Sequence, residues 1–207
     1  MAYLLNVYNN HFKKQLTKED IVWNYSGVRP LCDDESDSPQ AVTRDYTLEV
    51  ADVDGKAPLL SVFGGKLTTY RKLAEHAMDK LEHYYPGIGG AWTKNGILPG
   101  GQFSGDVDSY KAQLAKQYPW LPESQIYRYA HTYGSRMVEL LGSATALTDL
   151  GENFGHDFYE QELKYLVDNE WVKELDDAIW RRTKVGMWLS DEQKLRVAQW
   201  IKSYRNQ

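Results

Sequence analysis

Three cations stand where an anion could be gripped: Arg29, Arg44 and Lys66. Lys66 follows Gly64 and Gly65 and opens a stretch in which Leu67, Tyr70, Ala74, Ala77, Met78 and Leu81 recur at offsets of three and four, the spacing of an amphipathic helix. The N–H groups of a helix's first turn have no intrahelical acceptor, and the aligned peptide dipoles place positive charge there. A negative or electron-rich ligand group is therefore favoured at that end. Lys66 adds a full charge to it. The same two glycines also suit an ordinary tight turn that merely lets strand and helix pack. Arg29, before Pro30, and Arg44, before Asp45, fall at expected strand ends, from which both guanidiniums could reach one anion. Singly, each reads as a surface ion-pair partner.

Other chemistries are excluded by spacing. In GGKLT, Leu67 stands where a nucleotide-binding P-loop needs Ser or Thr, and Leu60 where it needs its first glycine. DVDG resembles the glycine corner of a calcium loop, yet its first ligand position would be Val50. The five histidines include no pair at i, i+4, and the single cysteine, Cys32, has no partner for zinc or a disulfide. His76 and His83 share a helix face and read as surface or packing residues.

The elements that must position the cations are legible in outline. Leu4, Val7, Tyr8, Phe12 and Leu16 predict an opening helix ending before Thr17. Ile21 to about Arg29, rich in β-branched and aromatic residues, predicts a strand halted by Pro30. Acidic and loop-forming residues fill Cys32 to Gln40. Alternation through Tyr46, Leu48 and Val50, an Asp54-Gly55 turn and the apolar run from Leu59 to Phe63 predict a β-hairpin leading directly into the Gly64-Gly65-Lys66 junction. Pro86 to Gly105 is dense in proline and glycine and marks a boundary. Beyond it, helices are expected around Val107–Leu114, Ile126–Tyr133 (stopped by Gly134), Met137–Leu141, Phe158–Val167 and Leu175–Thr183. A last helix starts at a Ser190-to-Gln193 capping box. The expectation is an α+β N-terminal part followed by an all-α domain from about Asp106.

Composition bounds the function classes. The 207 residues carry a formal charge of -5, so no global positive field exists to bind nucleic acid. No apolar run suits a membrane span or a signal peptide, and one cysteine suits a reducing compartment. Trp171, Trp180, Trp188 and Trp200, interleaved with charges of both signs, read as inter-helix packing rather than a membrane belt.

The segments WNYSGVRPLCDDESDSPQAVTRDYTLEV and LLSVFGGKLTTYRKLAEHAMDKL, with LPGG, TYGS, DLGENFGHDFYEQELKYLVDNEWV and DAIWRRTKVGMWL after them, closely resemble the later part of the bacterial aerobic, FAD-dependent glycerol-3-phosphate dehydrogenases. These are long ungapped blocks covering nearly the whole chain. The resemblance implies a C-terminal fragment, with Met1-Ala2 a translation start ahead of YLLNVYNN, because the family's N-terminal GxGxxG fingerprint for the FAD pyrophosphate has no counterpart here. Residues 1–90 would then be a piece of the FAD- and substrate-binding domain, 91–105 a linker, and 106–207 a helical cap domain. By the same resemblance, Arg29 and Arg44 would bind the substrate phosphate and Lys66 would sit between substrate and flavin. Gly64, Gly65, Leu67 and Thr68 would present backbone groups to the flavin's pyrimidine edge. The implied parent oxidises glycerol 3-phosphate to dihydroxyacetone phosphate and passes electrons through FAD to quinone. It would be a cytoplasmic protein, peripheral on the inner membrane face and homodimeric, with its catalytic base outside this chain. The fragment alone is expected to hold no FAD and to be inactive. For the helical part a structural lid, a dimerisation surface and a docking platform all remain open, as does the alternative of an interaction module without chemistry of its own.

Overall fold

A computed structural model of the protein describes residues 1–28 and 45–206. The chain divides into two compact units, Asn24–Gly96 and a second that joins Met1–Trp23 to Ile97–Gln207.

In the first unit, β1 (Tyr46–Val53) and β2 (Lys56–Gly64) pair antiparallel. The Asp54-Gly55 turn is held by the Asp52 carboxylate, which accepts from the Gly55 N–H at 3.0 Å. Val53 pairs with Lys56, but Ala51 pairs with Leu59, so Ala57 and Pro58 together oppose the lone Asp52. This is a β-bulge, and it suits the sequence. Pro58 has no N–H to lose from the ladder, and Ala57 takes a left-handed φ of 50°. A single 3-10 turn, Leu67–Thr69, leads into α2 (Tyr70–Leu81). The predicted hairpin and helix are both present, in that order.

Ile21 to Val28, where a strand is expected, joins no ladder among the described residues. Val22, Tyr25 and Val28 are 73%, 81% and 98% exposed. High β-propensity makes no strand without an edge to pair with.

In the second unit, α1 (Ala2–His11) ends where the Asn9 side chain accepts from the Leu16 N–H at 2.8 Å and donates to its carbonyl at 2.9 Å. Trp23 stacks on Trp180 with rings 5.3 Å apart and nearly parallel, and Lys184 lies over the Trp23 face. The rest of the unit is helical: α3 (Val107–Gln117), α4 (Glu123–Tyr133), α5 (Met137–Leu141), α6 (Glu160–Asn169) and α7 (Asp191–Arg205). Ser190 caps α7 by accepting from the Gln193 N–H at 3.2 Å, and Gln193 Oε1 accepts the Ser190 N–H in return. The predicted helix at Leu175–Thr183 is instead a wide π-type turn over Asp177–Arg182. There the Thr183 N–H and hydroxyl both reach the Ala178 carbonyl, five residues back. Among the described residues no strand follows Asp106, only an isolated bridge between Asn153 and Tyr159. An α+β part followed by helices is therefore the architecture.

Among the described residues the hydrophobic core lies in the helical unit, running from Tyr110 and Leu114 through Phe154 and Phe158 to Val197 and Ile201. Of the four late tryptophans, Trp180 and Trp200 pack against it, whereas Trp171 and Trp188 stand exposed. The LPGG segment docks on the end of α4: Gly134 has a φ of 55°, the Ser135 N–H donates to the Gly100 carbonyl at 2.8 Å, and a Cβ on Gly134 would overlap that carbonyl. Glycine is required there on both counts.

Candidate functional site

Gly64 and Gly65 end β2 with φ of 74° and 100°, conformations that side chains resist. A Cβ on Gly65 would lie 3.4 Å from Leu73 Cδ1 and 3.5 Å from Tyr46 Cβ. The turn is thus bracketed by a β1 side chain and an α2 side chain. Lys66 continues extended, and the first helical bond is made by the Thr69 N–H to the Lys66 carbonyl at 3.1 Å, with the Thr69 hydroxyl donating to the same oxygen at 3.0 Å. The N–H groups of Lys66, Leu67 and Thr68 precede that bond and find no acceptor among the described residues. Lys66, Leu67 and Thr68 are all exposed. The ion pairs of α2 join Arg71 and Lys72 to Glu75, and among the described residues no carboxylate pairs with Lys66. Among the described residues the junction therefore presents donors and positive charge without an acceptor. Arg29 and Arg44 lie outside the described residues.

Two side chains that sequence reasoning passed over hold this junction. Tyr46, opposite Gly64 in the ladder, shares a hydrogen bond of 2.6 Å between its hydroxyl and His76 Nδ1 on α2. Farther along α2, Glu75 is 9% exposed and accepts from the Thr93 hydroxyl at 2.5 Å, Arg71 at 2.7 Å and Lys72 at 2.9 Å. The Thr93 bond first, then Lys72, hold its carboxyl down at about 2. A concavity of about 470 Å³ lies there, lined by Ala74, Glu75, Met78, Ile88, Trp92 and Thr93. Its one buried polar group is already satisfied, so it offers less chemistry than the turn.

The helical unit buries a second polar cluster. Glu162 is fully buried and accepts from Arg128 through both oxygens at 2.5 and 2.6 Å and from the Tyr133 hydroxyl at 2.6 Å. Arg128 also donates to the Asp157 carbonyl at 2.8 Å. Burial first, and then the Glu162 charge, push the Tyr129 and Tyr133 hydroxyls well above the usual tyrosine range. Both stay protonated, Tyr133 donating to Glu162 and Tyr129 accepting from the Gln125 side-chain amide at 2.8 Å. These residues are separated by about thirty positions, and no local pattern marks them as partners.

A family model, the C-terminal domain of alpha-glycerophosphate oxidase, matches residues 91–204. The chain belongs to this family. As a member of it, the chain shares 68% identity over 205 residues with the aerobic glycerol-3-phosphate dehydrogenase of Escherichia coli strain K12, covering 99% of the chain and 41% of that protein. It is 49% identical over 202 residues to a glycerol-3-phosphate dehydrogenase of Pseudomonas aeruginosa, covering 98% of the chain and 40% of the relative. It is 43% identical over 200 residues to the D-erythritol 1-phosphate dehydrogenase of Brucella abortus, covering 96% and 40%. The chain thus spans about two fifths of the length of these relatives. The Gly64–Thr68 junction precedes the matched domain but falls within the aligned length of the E. coli relative, which leaves out only two residues of the chain.

Proposed function

We propose that this chain is the C-terminal part of an FAD-dependent sn-glycerol-3-phosphate dehydrogenase, oxidising glycerol 3-phosphate to dihydroxyacetone phosphate with electrons leaving through FAD to quinone. The observation that carries the reading is 68% identity across 99% of the chain to a protein named for that activity. The junction fits the cofactor: its N–H groups and Lys66, without an acceptor among the described residues, suit the flavin edge on which negative charge gathers. FAD, when bound, supplies the acceptor for the hydride from C2. The residues of this chain do the rest by binding and orienting. Gly64, Gly65, Leu67 and Thr68 turn backbone toward the pyrimidine edge, Lys66 stands between that edge and the substrate, and Arg29 and Arg44 hold the substrate phosphate through charged hydrogen bonds. No histidine of this chain is assigned as the base that takes the C2 hydroxyl proton. The Brucella relative's name extends the substrate class to polyol phosphates, for which a phosphate grip is the common requirement.

In this reading the full-length protein is cytoplasmic, peripheral on the inner membrane face and homodimeric. The 207-residue chain alone neither retains FAD nor turns over substrate, because it contributes only the junction and the phosphate grip. A second reading, a helical interaction module without chemistry, draws on Trp171 and Trp188, 80% and 56% exposed. Two measurements decide. In the flavin-loaded full-length protein, Arg29→Ala and Arg44→Ala should each lower kcat/KM for glycerol 3-phosphate by roughly 10- to 100-fold while leaving free glycerol oxidation unchanged. Equal loss with glycerol would show that the arginines do not read phosphate. The purified 207-residue chain, desalted after incubation with FAD, should show no flavin absorbance, and stoichiometric flavin would refute its predicted inertness.

A further inference from the structure

Nothing in the flavin reading explains why the donor-rich turn should hold one shape, since glycines with positive φ are free to take many. The hairpin supplies an answer. Carried from the Val53–Lys56 pair without interruption, the ladder would set Tyr46 opposite Phe63. The bulge at Ala57-Pro58 advances β2 by one residue and sets Tyr46 opposite Gly64 instead. Its Cβ then stands beside Gly65 on one side of the turn, and Leu73 closes the other side. Leu73 and His76, three residues apart on α2, share a face, and His76 Nδ1 meets the Tyr46 hydroxyl at 2.6 Å with the rings 5.8 Å apart. Among the described residues this is the one hydrogen bond between the hairpin strands and α2.

We propose that Tyr46 and His76 are a positioning pair for the Gly64–Lys66 turn, fixing where its N–H groups and the Lys66 backbone point. The proposal rests on the flavin reading for its purpose but not for its geometry. Tyr46 fills the side of the turn that the glycines leave bare. His76 stops the Tyr46 ring from swinging away, and the helix that carries His76 and Leu73 continues directly from the 3-10 turn that bears the unpaired N–H groups. Strand, turn and helix start are thereby held as one piece, and neither side chain need touch substrate or cofactor.

The test uses the 207-residue chain and then the flavin-loaded full-length protein. Amide exchange at Thr69, whose N–H closes the turn on Lys66, should quicken about 2- to 12-fold in Tyr46→Phe and in His76→Ala, the effect of one lost hydrogen bond. Val50 and Leu60, in mid-hairpin, should keep their rates. His76→Asn, whose amide offers a polar atom close to the place of Nδ1, should restore slow exchange. An unchanged Thr69 rate, or equal acceleration throughout the hairpin, overturns the pair's role. In the full-length protein the flavin reduction potential should fall in Tyr46→Phe and His76→Ala and recover in His76→Asn. A loosened turn with an unmoved potential also overturns the proposal. A full-length protein that binds no flavin would instead defeat the functional reading while leaving the exchange result to decide the pair.

Discussion

With no part of its side chain open to solvent, Glu162 sits where an uncompensated charge is costly, and Arg128 meets both its oxygens. The value of such a pair shows when one partner is removed. Glu162→Gln should lower the unfolding free energy of the helical unit by about 3 kcal/mol, the lower end of the expected range because Arg128 is 23% exposed. Urea unfolding followed by circular dichroism measures this, and a loss below about 1 kcal/mol would contradict a buried-pair role. Joint replacement by Arg128→Met and Glu162→Leu should cost less than Glu162→Gln alone, since no charge is then stranded. At this scale the sequence was informative where chemistry is local. Gly64, Gly65 and Lys66 are adjacent, and their joint meaning could be read directly. Arg128 and Glu162 are partners only because α4 and α6 pack together, and Tyr46 and His76 only because a bulge and a helix bring them within reach.

The elements differ in what holds them. Helix α2 is anchored at Glu75, whose carboxyl is held at about 2 against an ordinary 4.5 by Thr93 and Lys72. A carboxyl lowered in the folded state contributes stability that is complete above about 4.5 and is lost as pH falls from there toward 2. The Asn24–Gly96 unit should therefore loosen across that interval, seen as faster amide exchange along α2. In Glu75→Gln the same interval should bring little change, and a wild-type chain indifferent to acid would contradict the anchor. Element signals were dependable where they were self-contained, as in the Asp54-Gly55 hairpin, the Gly134 stop and the Ser190 cap. They failed at Ile21–Val28, where composition promised a strand but the segment joins no ladder among the described residues. They also failed at Asp177–Arg182, where a helical pattern widened into a π turn around the Thr183 side chain.

At the scale of the molecule, apolar burial is uneven. Among the described residues every hydrophobic core residue belongs to the helical unit, whereas the one buried residue of α2 is the charged Glu75. On the open hairpin face, Leu59 and Phe63 are 64% and 45% exposed, and a two-stranded sheet has little independent stability. Limited proteolysis should cut first within Asn24–Gly96 and leave a resistant product containing Ile97–Gln207, identifiable by mass spectrometry. Survival of the hairpin unit with digestion of the helices would reverse this assignment. The helical half was largely legible because its periodic apolar faces enclose a core of their own. The hairpin half was legible as elements only, since its open face encloses no core of its own.

The bulge at Ala57-Pro58 also limits how this protein can change over generations. Ala57 and Pro58 share the place opposite Asp52, so deleting either one would close the ladder without a bulge and keep Tyr46 opposite Gly64, whereas one residue added between Leu59 and Phe63 would shift the register and turn the residues beyond it to the other face. Such an addition would set Phe63 opposite Tyr46 and carry the glycines out of step with α2. Functional homologues should therefore tolerate loss of one residue at Ala57-Pro58, while single-residue additions between Leu59 and Phe63 are purged.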